Sequence, residues 1–360
     1  MTAVANRSAS APGSIRRPNG ALVLGALVVL LVAVALGSLT IGAAGIPFPR
    51  LMAVFGFGGG DAATLARDEI VVWSIRIPRV AMAGLVGAML AVSGATMQGL
   101  FRNPLADPAL VGVSSGGALA AAITIVVGDR FMTAQVLSVP FEILPFAAFF
   151  GGLVTTILLY RIATRHNRTS IAMFLLGGIA IAALANAGIG LLVFLADDRQ
   201  LRDITFWMLG SLSGATWSKV GTIFPFFLMS ALAVGAIGRG LDLLALGESE
   251  AFHAGIAVQR LKRISILLVA AATGAAVSVS GVIGFVGIVV PHLLRLIVGP
   301  GHRMLLPSSM LLGAVLMMAA DSLARVIAAP TEVPIGVITA LIGAPFFLYL
   351  LLRQRSLVAL

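Results

Sequence analysis

Apolar runs of helix length, separated by short polar breaks, dominate this chain. The first extends from Ala21 to Ile41. Others follow at 78–99, 109–127, 143–161, 171–194, 219–238, 264–283, 285–298, 305–326 and 335–352. An α-helix rises about 1.5 Å per residue, so roughly 20 residues cross a hydrocarbon layer about 30 Å thick. None of the runs alternates with period two, as the strands of a membrane barrel would. The pattern predicts an all-α polytopic membrane protein with about ten transmembrane helices. It forms one domain over 21–355, between a polar tail (1–20) and a short C-terminal tail (356–360). The runs 109–127 and 285–298 are short or Gly-rich, as suits helices buried among protein neighbours.

Composition names the solvent. Of 360 residues 59% are hydrophobic and only 11% charged, with a mean hydropathy of +1.07. A soluble domain carries about 25% charged residues, so lipid must cover much of this surface. The 41 glycines fit close helix approach in a bilayer. There are no cysteines, which excludes disulfides, iron–sulfur clusters and thiolate metal sites. The first apolar run exceeds the 7–15 residues of a cleaved signal core and reads as an uncleaved helix behind Arg7, Arg16 and Arg17. With the N-terminus inside, fifteen of the 24 basic residues lie on the inner side. That bias supports cytoplasmic termini. The net charge of +10 therefore reads as orientation and not as nucleic-acid binding.

Three stretches carry candidate chemistry. In Arg76-Ile77-Pro78-Arg79, Pro78 fits the first turn of the second span. Two arginines beside a helix N-terminus oppose the helix dipole, at about 0.3–1 kcal/mol each. An external anionic partner would offset that, with Arg325 at the outer end of the ninth span joining them. Equally, all three side chains would snorkel to lipid headgroups. The inner loop 239–263 sets Leu241, Leu243, Leu244, Leu246 and Phe252 among polar residues, with Gly247 and Gly255 as breaks. It predicts two short helices that meet a soluble partner or pack back on the protein's own helix ends. The third stretch holds Arg199, Arg202, Phe206, Trp207, Gly210 and Gly214 in an outer loop. Trp207 fits an interfacial belt. The two arginines attract an anionic solute or pair locally with Asp197, Asp198 or Asp203. Asn103-Pro104-Leu105-Ala106-Asp107-Pro108 reads as a rigid turn.

Other chemistry is missing from the sequence. No GxxxxGK[ST] loop is present, so ATP is not bound by that route. His166, His253 and His302 fall in inner loops and His292 in the inner part of a span. Tyr160 and Tyr349 lie near inner helix ends. A haem iron held by His or Tyr on the outer side is not expected.

At these residues the chain resembles the iron-chelate and vitamin B12 permease family of ABC importers, over nearly its whole length after residue 20. The motifs are Arg76-Ile77-Pro78-Arg79; Ser93-Gly94 to Gln98; Asn103 to Pro108; Leu246-Gly247-Glu248; Gly284-Phe285-Val286-Gly287 with Pro291-His292; and Pro334-Ile335-Gly336 with Gly343-Ala344-Pro345. The resemblance implies a type II importer permease: ten helices per subunit, and a homodimer in a bacterial inner membrane with its path on the two-fold axis. It implies two copies of a separate cytoplasmic ATPase, which alone binds and hydrolyses ATP, and a periplasmic substrate-binding protein. No permanently bound cofactor is expected. Arg76, Arg79 and Arg325 match positions that receive the binding protein's acidic residues. Leu241, Leu244, Gly247, Glu248, Phe252 and Gly255 fall in the segment matching the ATPase-coupling helices. The run from Asp197 to Trp207 is similar to the haem branch, which points to haem as substrate, with Arg202 first and Arg199 second as path-facing arginines. Trp207 and Gly210 would belong to the gate. Ferric siderophores and cobalamin are the alternative cargoes.

Two readings of other classes were weighed. A secondary transporter driven by an ion gradient needs ionisable residues inside the membrane, and the spans offer little beyond Asp321 and, at a boundary, Glu142. An enzyme or receptor needs a cluster of nucleophile, base and metal ligands, and the sequence assembles none.

Overall fold

The computed structural model describes residues 19–42, 45–59, 61–132, 140–165 and 168–358. The tail with Arg7, Arg16 and Arg17, together with Gly60, His166 and residues 359–360, lies outside them. The helices are α1 (Gly20–Thr40), α2 (Phe48–Val54), α3 (Ala62–Ile70), α4 (Ile77–Phe101), α5 (Val113–Met132), α6 (Pro140–Ala163), α7 (Ile171–Leu195), α8 (Asp198–Leu209), α9 (Trp217–Leu246), α10 (Glu248–His253), α11 (Val258–Ser280), α12 (Val286–Val298), α13 (His302–Ile327) and α14 (Ile335–Val358). An antiparallel hairpin, β1 (Thr164–Arg165) with β2 (Arg168–Thr169), joins α6 to α7. Among the described residues, seven helical stretches are long and apolar enough to cross a membrane. Shorter apolar helices in α5, α12 and α14 complete the ten apolar runs of the sequence.

The core is organised around α4, against which α13, α11, α9 and α12 pack. Its apolar window is 89% buried, against 17% for α1 and for α7. Those two present Leu22, Val29, Leu184 and Phe194 outward, as helices bordering lipid do. Glycine lets α4 be surrounded so closely. A Cβ on Gly87 would lie 2.2 Å from the Gly313 carbonyl oxygen of α13, and one on Gly313 would lie 2.4 Å from that of Gly87. Gly94 meets Gly287 of α12 in the same way, at 1.9 Å. Backbones in such contact gain dispersion energy where no hydrophobic effect drives helices together.

The chain between α11 and α12 is not helical, and both Gly281 and Phe285 have a φ of 68°. Irregular backbone at such a depth is tolerated when protein surrounds it. Here Gly343 of α14 covers it, so closely that a Cβ there would lie 2.3 Å from that of Phe285.

The Gly94 contact predicts an asymmetry between glycines. Gly94→Leu should lower the thermal unfolding midpoint in detergent markedly, since overpacking a tight core costs about 1–3 kcal/mol or more. Gly25→Leu should leave it unchanged, because nothing lies within 4 Å of that position. Equal midpoints for the two variants would refute the backbone contact.

Candidate functional site

The second span does not begin at Pro78. Asp61 caps α3, its carboxylate accepting the Thr64 N–H at 3.1 Å. The helix then runs through a π-helical turn, Val71–Arg76, directly into α4. Proline explains the turn. The Ile77 N–H bonds to Val72, five residues back. In that register the Trp73 carbonyl awaits the N–H of residue 78, which proline lacks. The indole Nε1 of Trp217 supplies the missing donor at 2.9 Å.

Arg76 and Arg79 therefore sit inside a continuous helix, and the expected conflict with a helix N-terminus does not arise. Arg76 and Arg325 instead serve a C-terminus. The last turn of α1 leaves carbonyl oxygens without helical donors. Arg76 Nη1 donates to the Leu39 oxygen. Arg325 donates to the Ser38 oxygen at 3.2 Å, to Ser38 Oγ at 2.7 Å and to the Ile41 oxygen at 2.7 Å. Cations are favourable there on dipole grounds as well.

Arg79 forks between two acids. Its Nε and Nη2 each approach Asp321 at 2.9 Å, and its Nη1 meets Glu332 at 2.8 Å. Asp321 also takes Arg325 Nε at 3.1 Å. All three arginines are buried, at 4, 8 and 7% exposure for Arg76, Arg79 and Arg325. The snorkelling alternative is thereby excluded. Within this cluster three cations face two carboxylates, which leaves one positive charge in excess.

Beside the cluster stands α8, started by a capping box. Asp197 Oδ1 accepts the Gln200 N–H at 2.8 Å, and Gln200 Oε1 accepts the Asp197 N–H at 3.2 Å. Arg199 approaches Asp203 at 4.0 Å, an exposed and weak pair. Arg202 is exposed and Trp207 half-buried. At Gly210, with φ 73°, the chain leaves α8 and runs against two neighbours. The Ser211 N–H donates to the Ser280 oxygen at 2.8 Å, and the Ile335 N–H to the Gly210 oxygen at 3.1 Å. A cavity of about 280 Å³ opens here, lined by Thr124, Leu144, Arg199, Phe206, Trp207 and Ser280 among others. A second, of about 90 Å³, lies between Phe206 and Ser211 on one side and Arg79, Asp321 and Glu332 on the other. Arg199 and Trp207 line the first cavity and Arg79 the second, and the two cavities share Phe206, Ser211 and Ser213. Arg202 does not line either cavity.

At the other end of the bundle, the expected pair of short helices is one. α9 continues unbroken to Leu246, and only α10 is separate. Leu241 and Leu244 consequently face inward and lie in the core, rather than on a surface a partner reaches. Leu246 and Phe252 are the exposed apolar pair, at 72% and 69%. Gly247 (φ 144°) and Gly255 (φ 86°) bound α10. Glu248 ties it to α11 through Lys262 at 2.6 Å. Asp242 accepts the backbone N–H of His302 at 2.6 Å, capping α13.

Sequence reading passed over Glu332 and the structural part of Asp321. Asp321 and Arg325 stand four apart, which puts them on one helix face, and an acid within a span is itself a signal. Glu332 gives no such signal, because its partner Arg79 is 253 residues away.

With this geometry in view, the similarities to known proteins are extensive. The FecCD transport family pattern matches residues 29–353. The hemin transport system permease protein HmuU of Yersinia pestis is 44% identical over 93% of this chain and 96% of its own. The cobalamin import system permease protein BtuC of Halobacterium salinarum is 42% identical, over 88% and 82%. A solved structure of a metal-chelate type ABC transporter in an inward-facing conformation superposes with a TM-score of 0.80 at 34% identity, covering 92% of this chain and 99% of that one.

Asp321→Asn should destabilise the fold by about 3–5 kcal/mol, because it leaves two buried guanidinium groups short of their counter-charge. Arg199→Gln, at the exposed pair, should stay within about 0.5 kcal/mol of the parent. Thermal unfolding in detergent compares them; an Asp321→Asn midpoint equal to the parent's would contradict the buried ionic cluster.

Proposed function

The chain belongs to the FecCD transport family and is the multi-pass permease subunit of an ABC importer for haem, cobalamin or an iron chelate, and we propose that its cargo is haem. The observation that carries this reading is the cavity beside α8, lined by Arg199, Phe206 and Trp207 together. Haem is a flat apolar ring bearing two carboxylates. A guanidinium suits a carboxylate, and aromatic faces suit the ring. Arg202, exposed on the same helix, adds a second cation to the approach. The extent of similarity to a hemin permease supports the same cargo.

In this reading the permease works as a homodimer in a bacterial inner membrane, with both termini in the cytoplasm. A second copy of the chain would complete the path on the two-fold axis. The end bearing Arg76, Arg79 and Arg325 faces the periplasm. Its surplus positive charge meets a carboxylate of a substrate-binding protein, and Arg79 is the arginine nearest solvent through Glu332. At the cytoplasmic end, Leu246, Phe252 and Glu248 engage a separate ATPase, with Gly247 and Gly255 as the flexible flanks of α10. Nucleotide-driven movement of α10 is passed by Lys262 to α11, which ends at Ser280 beside the gate segment. That is rigid-body coupling.

Reconstituted with its ATPase and binding protein in proteoliposomes, the permease should take up hemin only with ATP. Arg199→Glu with Arg202→Glu should reduce hemin uptake about tenfold or more, the loss of one charge-assisted bond of about 1.5–3 kcal/mol, at unchanged thermal stability. Uptake of cobalamin without hemin would overturn the cargo. Separately, Phe252→Asp should weaken co-purification of the ATPase while leaving the unfolding midpoint within error, since that side chain is exposed. Undiminished co-purification would remove α10 from the contact.

A further inference from the structure

We propose that Glu332 is an internal stand-in for the docking carboxylate at Arg79, and that its displacement loosens the strap holding the gate segment. This rests on the docking reading above for the identity of the displacing group. The geometry of Arg79 sets which contact is exchangeable. Its Nε and Nη2 are committed to Asp321, which is 1% exposed. Only Nη1 is bound to a group that reaches the surface, since the Glu332 side chain is 39% exposed. A carboxylate arriving from outside can replace Glu332 and cannot reach Asp321. One carboxylate is then traded for another on the same buried guanidinium, at the one arm whose partner is part-exposed, a near-balanced exchange.

Glu332 is also joined to the gate by the shortest possible route. Three residues on, the Ile335 N–H donates to the Gly210 oxygen at 3.1 Å. One further, Gly336 lies against the end of α8, where a Cβ would come within 2.2 Å of the Leu209 oxygen. Between these points and the Arg79 contact, the strap is held by one backbone bond, Val333 N–H to the Ala324 oxygen at 3.2 Å. The cavity of about 90 Å³ beneath it, between Glu332 and Ser211, gives the strap room to move. The ion pair at one end and the Gly210 bond at the other thus bracket a four-residue connection. In the free permease its own carboxylate holds the segment in place; in the docked one the partner's carboxylate takes over Arg79 and the strap is released.

The absence of cysteine allows a direct test on the full-length permease in proteoliposomes. Ser280→Cys places a thiol under the Ser211 contact at a position 2% exposed, and its reaction rate with a small water-soluble maleimide reads the state of the gate segment. Glu332→Gln in that background should raise the rate about fivefold, the factor equivalent to about 1 kcal/mol, with no partner present. Arg79→Lys, which keeps a cation for Asp321 and loses the Nη1 arm, should do the same. Glu332→Asp should stay near the parent. Parent-like rates in both Glu332→Gln and Arg79→Lys, with unfolding midpoints unchanged, would overturn the strap. Adding the binding protein should raise the parent rate to that of Glu332→Gln and leave Glu332→Gln unmoved. A protein that binds without changing the parent rate would overturn the exchange. Failure to bind at all would refute the docking reading, and the partner-free rates would then decide the strap by themselves.

Discussion

A guanidinium group buried away from water and lipid headgroups must have its donors matched by the protein, because hydrocarbon offers no acceptors. The fork of Arg79 onto Asp321 meets that demand between α4 and α13. These are the helices that also touch backbone to backbone at Gly87 and Gly313. The two contacts depend on each other. Close glycine packing brings the arginine and the acid within bonding reach, and the ion pair fixes the rotation at which the glycines face. Arg325 extends the arrangement to α1, whose final carbonyls it caps together with Arg76. The outer ends of three helices are thereby set by one group of charges.

The same constraint accounts for the other irregularities. A proline within a long helix leaves a carbonyl without its donor, and the chain answers with a π turn and the indole of Trp217. The interruption between α11 and α12 is tolerable because α14 and the end of α8 lie against it. Positive-φ breaks at Gly210, Gly281 and Phe285 gather where the end of α8 meets the segment between α11 and α12. Elsewhere long unbroken helices carry the load, as α9 does from Trp217 to Leu246.

Much of this was legible in the chain itself. Spans are written in runs of apolar residues, and all ten runs are helical, since lipid leaves a segment of that length no other way to satisfy its backbone. Boundaries were less legible. The capping box Asp197–Gln200 announces α8 in hindsight, and Asp61 announces α3, yet both helices are polar enough to read as loop. Pro78 reads as a first turn because that is its usual place, and the indole of Trp217, distant in sequence, takes the carbonyl it leaves free. Leu241 and Leu244 lie in a helix and not in the expected loop because a loop and the polar end of a long helix have similar composition. The arginine cluster was seen as a motif but not as a cluster: nothing local joins Arg79 to Glu332, or Arg325 to Ser38.

Burial changes what those arginines can contribute to function. A fully exposed arginine offers a partner little, because water competes for it and salt screens it. A fully neutralised one offers nothing. This cluster stands between the two: dry, organised, and one negative charge short. A low-dielectric surrounding strengthens any carboxylate that arrives, and the prior alignment of the forks spares it the entropy of ordering them. In the docking reading proposed above, the charges that hold these helix ends together are also the ones best prepared to sense a partner. Stability and recognition draw on the same few side chains, and the point where they separate is the half-exposed Glu332, the member of the cluster whose bond can be exchanged without unfolding the rest.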